Sequence, residues 1–153
     1  MAEPIVEQIM AAVKTRMDAA FSLSYRSTRI ATWQPKDLVV HVHQGTLTPN
    51  AALSCPGNPP AQAYDLEAIV AGIVKPSDME LTAIDTFKNR MGADIIVAAT
   101  NAALWHQWGS LAINTTIGPV EEYVEESGGF AGVMVKFLIT FRTNEDDPYT
   151  VRA

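Results

Sequence analysis

The chain has 153 residues, 48% of them hydrophobic and 18% charged, which excludes a disordered segment and suits one domain with a single core. The charge content lies below the usual soluble average of about 25%, as expected where surface is buried against other subunits or where the core is large. Eleven basic and 17 acidic residues give a net charge of −6, without the basic stripe of a duplex-binding module.

From Pro4 to Ala20, Ile5, Val6, Ile9, Met10, Val13 and Met17 recur at spacings of three and four. This is the apolar stripe of a helix, with Pro4 in the tolerant first turn and the methionines as core fillers. Phe21 to Pro35, with its serines and threonines, Tyr25 and Trp33, reads as an extended or looped link. Arg16, Arg26, Arg29 and Lys36 read as a solvated helix face and loop. Asp37 to Gln44 is a strand, with Leu38, Val40 and Val42 on one face and Val39, His41 and His43 on the other.

Gly45 to Ala63 holds four of the nine prolines and reads as a long irregular loop, mobile in an isolated subunit and ordered by a neighbour. Tyr64 to Val74 is the next strand, expected antiparallel to the one before it, with Tyr64, Leu66, Ala68, Val70 and Val74 on one face and Asp65 and Glu67 on the other. Pro76 stops it, and Ser77 with Glu80 forms a capping box. The spacing then predicts a helix to about Trp108, with a break near Gly92 and Gly109 as its C-cap. Met91, Ile95, Ala98, Ala102 and Trp105 share one face, widened by Ile96 and Ala99, and the small residues allow close approach to a sheet.

Ile113 to Glu126 reads as strand, turn and strand about Gly118-Pro119, and Ser127-Gly128-Gly129 turns the chain into a last strand, Val133 to Thr143. There Val133, Val135, Phe137, Ile139 and Phe141 form an apolar face, and Met134, Lys136, Leu138, Thr140 and Arg142 a mixed one. Asn144 to Thr150 is an acidic break in which Pro148 ends ladder bonding, and Arg142 is expected to pair with the acids at 145–147 across a subunit joint. The order predicts an α+β domain over 1–153, an antiparallel or mixed sheet with the N-terminal helix and the Ala-rich helix on one face.

Few patterns carry chemistry. His41 and His43 share a strand face and could meet one ion, but the third ligand would have to be Cys55 or His106, neither at diagnostic spacing. The expected alternative is two partly exposed histidines. Cys55, the single cysteine, is a free thiol in a Ser-Cys-Pro-Gly turn with no activating partner in the sequence. Among the glutamates, alternation puts Glu122 and Glu126 on one face and Glu121 and Glu125 on the other, a solvated acidic rim rather than a glycosidase pair. Asp146 and Asp147 read the same way. Trp105 and Trp108 read as one core anchor and one interface anchor, with a ligand pocket as the alternative. No phosphate-loop, dinucleotide, zinc-protease or nucleophile-elbow motif occurs. No basic segment followed by an apolar one opens the chain, and no run of 18 apolar residues occurs, so cytoplasmic synthesis is expected.

The layout resembles the tail terminator (tail completion) proteins of long-tailed bacteriophages. The resemblance rests on the helix Pro4–Ala20, the exit segment with Trp33 and Pro35, LVVHVHQ before a long insertion, YDLEAIVAGIV, the Ala-rich NRMGADIIVAATNAALWHQW, and the closing VMVKFLITFRTNEDDPYT. It implies a homo-oligomer, a hexameric ring on the last ring of the tail tube, which stops tube polymerisation and presents a surface to the head connector. The partners implied are the tail tube protein, a connector or neck protein, and genomic DNA passing through the lumen without specific binding. No membrane, catalytic residue, metal or cofactor is implied, and the location is the virion neck after assembly in the host cytoplasm. The 45–63 loop would face tube or connector. Six copies at −6 each would carry −36, and charge of that sign along a bore would let DNA slide. Within phages the alternative is another neck or tail-tube protein of related fold. Outside that class the alternatives are a small hydrolase or isomerase using His41, His43 and Cys55 or a glutamate, and a small-molecule binder built on Trp105 and Trp108.

Overall fold

The apolar stripe of the first segment becomes the buried side of α1 (Ile5–Ala20), where Ile5, Ile9, Met10, Val13 and Met17 are buried. Pro4 stands at its N-cap, where the missing N–H costs nothing, and its carbonyl accepts from the Gln8 amide at 3.0 Å. The computed structural model describes residues 2–22, 24–26, 39–74, 81–125 and 130–152. The expected capping box at 77–80, the turn at 127–129, Trp33, Arg29, Lys36 and Glu126 lie outside them.

A sheet of six strands forms the other layer: β1 (Ser24–Arg26), β2 (Val39–Pro49), β3 (Ala61–Val74), β4 (Asn114–Glu125), β5 (Phe130–Asn144) and β6 (Asp147–Val151). The order is β1-β2-β3-β5-β4, with β6 paired to the end of β5. Among the described residues only β1–β2 is parallel; the other pairs are antiparallel, as expected for β2 and β3. α1 and α2 (Leu81–Thr100) both pack on one face, so the domain is α+β. The core joins the α1 stripe and Met91, Ile95 and Ala99 of α2 to Val40, Val42, Leu66, Val70, Val135, Phe137 and Ile139 of the sheet.

Close packing at the middle depends on two glycines. A Cβ on Gly72 would stand 2.5 Å from Met91 Cγ, and one on Gly132 would stand 2.2 Å from the Gly72 carbonyl oxygen. The absent side chains admit Met91 onto the sheet and let β3 and β5 meet there.

Several expectations change. The stretch 45–63 is mostly hairpin: residues 45–49 continue β2, residues 61–63 open β3, and only Asn50–Pro60 form a tip. After a register shift beyond Gln44, Leu47, Thr48 and Pro49 pair with Leu66, Asp65 and Tyr64, and Ala61 to Ala63 pair with β5, a ladder that proline counting does not reveal. β4 is one strand, because Gly118-Pro119 forms a bulge between Ile117 and Val120 instead of a turn. α2 runs unbroken through Gly92 but ends at Thr100, and Trp105–Gln107 is a separate 3₁₀ turn. Gly109 therefore follows that turn, with φ +71°, and does not cap the long helix. Pro148 does not end pairing: Thr143 pairs with Val151 and Asn144 with Asp147, so the shifted register passes the residue that lacks a donor.

Candidate functional site

Alternation along β5 separates two surfaces. Val133, Val135, Phe137, Ile139 and Phe141 are buried against the helices, whereas Leu138 is 41% exposed on the other face. Around Leu138 that outer face is polar. Lys136 stands 3.8 Å from Glu67 and 3.5 Å from Glu121. Thr140 donates to Asp65 at 2.6 Å, and Thr46 donates to Glu67 at 3.2 Å. Glu122 turns to the helix side, where Lys88 of α2 reaches it at 2.8 Å and its ammonium pKa is raised by that bond. Glu121 and Glu122 therefore divide as alternation requires, each facing a lysine across strands or layers.

The β2–β3 tip lies at one end of this face. Asn50 accepts from the Leu53 amide and donates to Asp65, and Ser54 Oγ receives the Ala63 amide at 3.0 Å. Cys55 and Ala61 exchange backbone bonds of 3.0 and 2.9 Å. Cys55 is free and exposed, with Arg142 Nη1 3.7 Å from its Sγ. Within one subunit Arg142 thus turns toward the hairpin, as its pairing with Ala63 of β3 directs.

The structure does not bring the candidate chemical residues together. His41 and His43 share a face of β2, as expected, but His41 is 0% exposed and only His43 is half-buried. The expectation of two partly exposed histidines fails because this end of the sheet is buried on both faces, at Val39, Ala71 and Ile73 as well. The Tyr25 ring lies 6.0 Å from that of His41. Burial lowers the His41 pKa, with a further push from His43; burial also lowers that of His43, partly offset by the Glu67 carboxylate. Cys55 is remote from both. It bridges Ala61, whereas His43 pairs with Ile69 further along β3, a separation of roughly 25 Å at about 3.3 Å per residue. His106 sits beside Thr115 of β4, across β5 and β3 from the histidine strand. Among the described residues no three His, Cys, Asp or Glu side chains gather as metal ligands.

Trp108 is a core anchor: it is buried, its Nε1 donates to Thr115 Oγ1 at 2.8 Å, and Phe137 meets it edge-on at 6.5 Å. Trp105 is half-buried. The reading of Arg16 as a solvated cation is corrected, because its guanidinium lies on the Trp108 ring and caps the end of α2. No local pattern could reveal that contact, since Arg16 and Trp108 lie on different elements. Arg26 does stay at the surface, paired with Glu7. Among the described residues no helix is long and apolar enough to cross a membrane. No protein-family model matches the chain, and no curated protein matches it in sequence.

Proposed function

We propose that the chain is a structural ring subunit of a long-tailed bacteriophage, which caps the tail tube, ends its polymerisation and forms the joint to the head connector. The order of elements that resembles the tail terminator proteins supports this reading, above all the closing strand with its Arg-Thr, acidic, Asp-Pro-Tyr ending. One observation carries it on the structural side. β5 lies between β3 and β4, buries its Phe137 side and leaves its Leu138 side open. A subunit that folds by one sheet face and assembles by the other needs that division. The hairpin tip at 50–60 is the element that would reach tube or connector, and the net charge of −6 suits a subunit around a DNA conduit.

The test is electron microscopy of the purified protein incubated with its proposed tail-tube partner, together with light scattering of each mixture. The expected result is a six-fold cap at one tube end and arrest of tube growth. A strict monomer, alone and with the tube protein, overturns the reading.

A further inference from the structure

Pro59 and Pro60 have no backbone N–H, so this limb of the hairpin tip cannot supply donors to a ladder of its own, while its carbonyls still need partners. Those partners come from the end of the chain. Arg152 Nη1 donates to the Pro59 carbonyl and, at 3.0 Å, to Asn144 Oδ1. The Glu145 amide donates to the Pro60 carbonyl at 2.9 Å. A Cβ on Gly57 would come within 3.2 Å of Arg152 Nη2, so the guanidinium lies close against the bare glycine. The base of Arg152 is itself fixed, because its amide donates to the Arg142 carbonyl on β5 at 2.9 Å. The tip's internal bonds, from Asn50, Ser54 and the Cys55–Ala61 bridge, hold its root to β3.

We infer that Asp147–Arg152 is a strap and that Arg152 is its latch, holding the 50–60 tip in one pose that the hairpin alone does not fix. The pose offered to a neighbouring molecule is then set from the C-terminal end of β6. The latch does not depend on the ring-subunit reading, since it is defined within one subunit.

Hydrogen–deuterium exchange on the full chain tests it, comparing the parent with Arg152→Ala and Arg152→Lys. Peptides covering 50–60 are expected to exchange about tenfold faster or more in Arg152→Ala. Part of that protection should return in Arg152→Lys, and peptides at the centre of β3 and β5 should stay unchanged. Circular dichroism checks that each variant folds. Should Arg152→Ala not fold, Asn144→Ala, which removes one of the latch's two acceptors, is read in the same way. Unchanged exchange at the tip overturns the inference. So does an equal rise in every peptide, because that reports general destabilisation and not a released latch.

Discussion

The guanidinium carbon of Arg16 sits 3.8 Å from the centroid of the Trp108 ring. Its Nη1 donates to the Ala99 carbonyl at 2.6 Å and to the Trp105 carbonyl at 2.9 Å. The Ala99 carbonyl is among the last four of α2, which have no intrahelical donor, and a cation there also meets the negative end of the helix dipole. One side chain of α1 therefore ties together the end of α2, the 3₁₀ turn and the largest core aromatic. Arg16→Ala should cost about 2–4 kcal/mol from two charge-assisted bonds and the ring contact. Arg16→Lys should recover only part of this, because an ammonium lacks the planar fork. Chemical denaturation midpoints measure both.

The two faces of β5 predict a contrast between neighbours. Phe137→Ala should cost about 3–5 kcal/mol by opening a cavity beneath Trp108. Leu138→Ala, one residue on and largely outside the core, should change the stability of an isolated subunit by no more than about 1 kcal/mol. Under the proposed function Leu138→Lys would weaken ring formation while the subunit melts normally, as light scattering and calorimetry on the same samples would report.

The glycine contacts predict a second contrast. In Gly132→Ala the new methyl meets a backbone carbonyl that can move only with β3, so a loss of about 3 kcal/mol or more is expected. In Gly72→Ala the methyl meets the side chain of Met91, which has three rotatable bonds and can shift. That substitution should cost less, about 1–3 kcal/mol. Shortening the obstacle in the double variant Gly72→Ala/Met91→Ala should give a total loss smaller than the sum of the single losses.

Acidification should destabilise the fold through His41. Its folded pKa lies below the ordinary 6.5 because burial disfavours the imidazolium. The unfolded state then binds the proton more readily, so stability is full above about 6.5 and falls as pH drops toward the depressed folded value. Denaturation at pH 7.5 and 5.5 should show the parent losing stability between them. His41→Leu should lose less over the same interval, and an equal loss in both proteins would remove His41 as the cause.

Local periodicity was enough for the elements whose burial follows one repeat. The three- and four-residue spacing from Ile5 to Met17 placed α1 and its buried side. The period of two from Val133 to Phe141 placed the core face of β5, and Gly118-Pro119 marked the irregular point of β4. Each of these depends on side-chain direction along one element, which the backbone repeat fixes before any partner arrives.

The rest depended on partners distant in the chain. Residues 47–49 became strand by pairing with Tyr64–Leu66 and residues 61–63 by pairing with β5, and Pro148 was tolerated because the register passes it. α2 stopped at Thr100 where Arg16, from another helix, takes up the Ala99 carbonyl. His41 became a core residue because this end of the sheet is covered on both faces, whereas its sequence neighbours distinguish only one. Hydrogen-bond partners across a sheet and the second cover of a strand are non-local quantities. Sequence determined which faces could be buried, and tertiary packing decided which of them were.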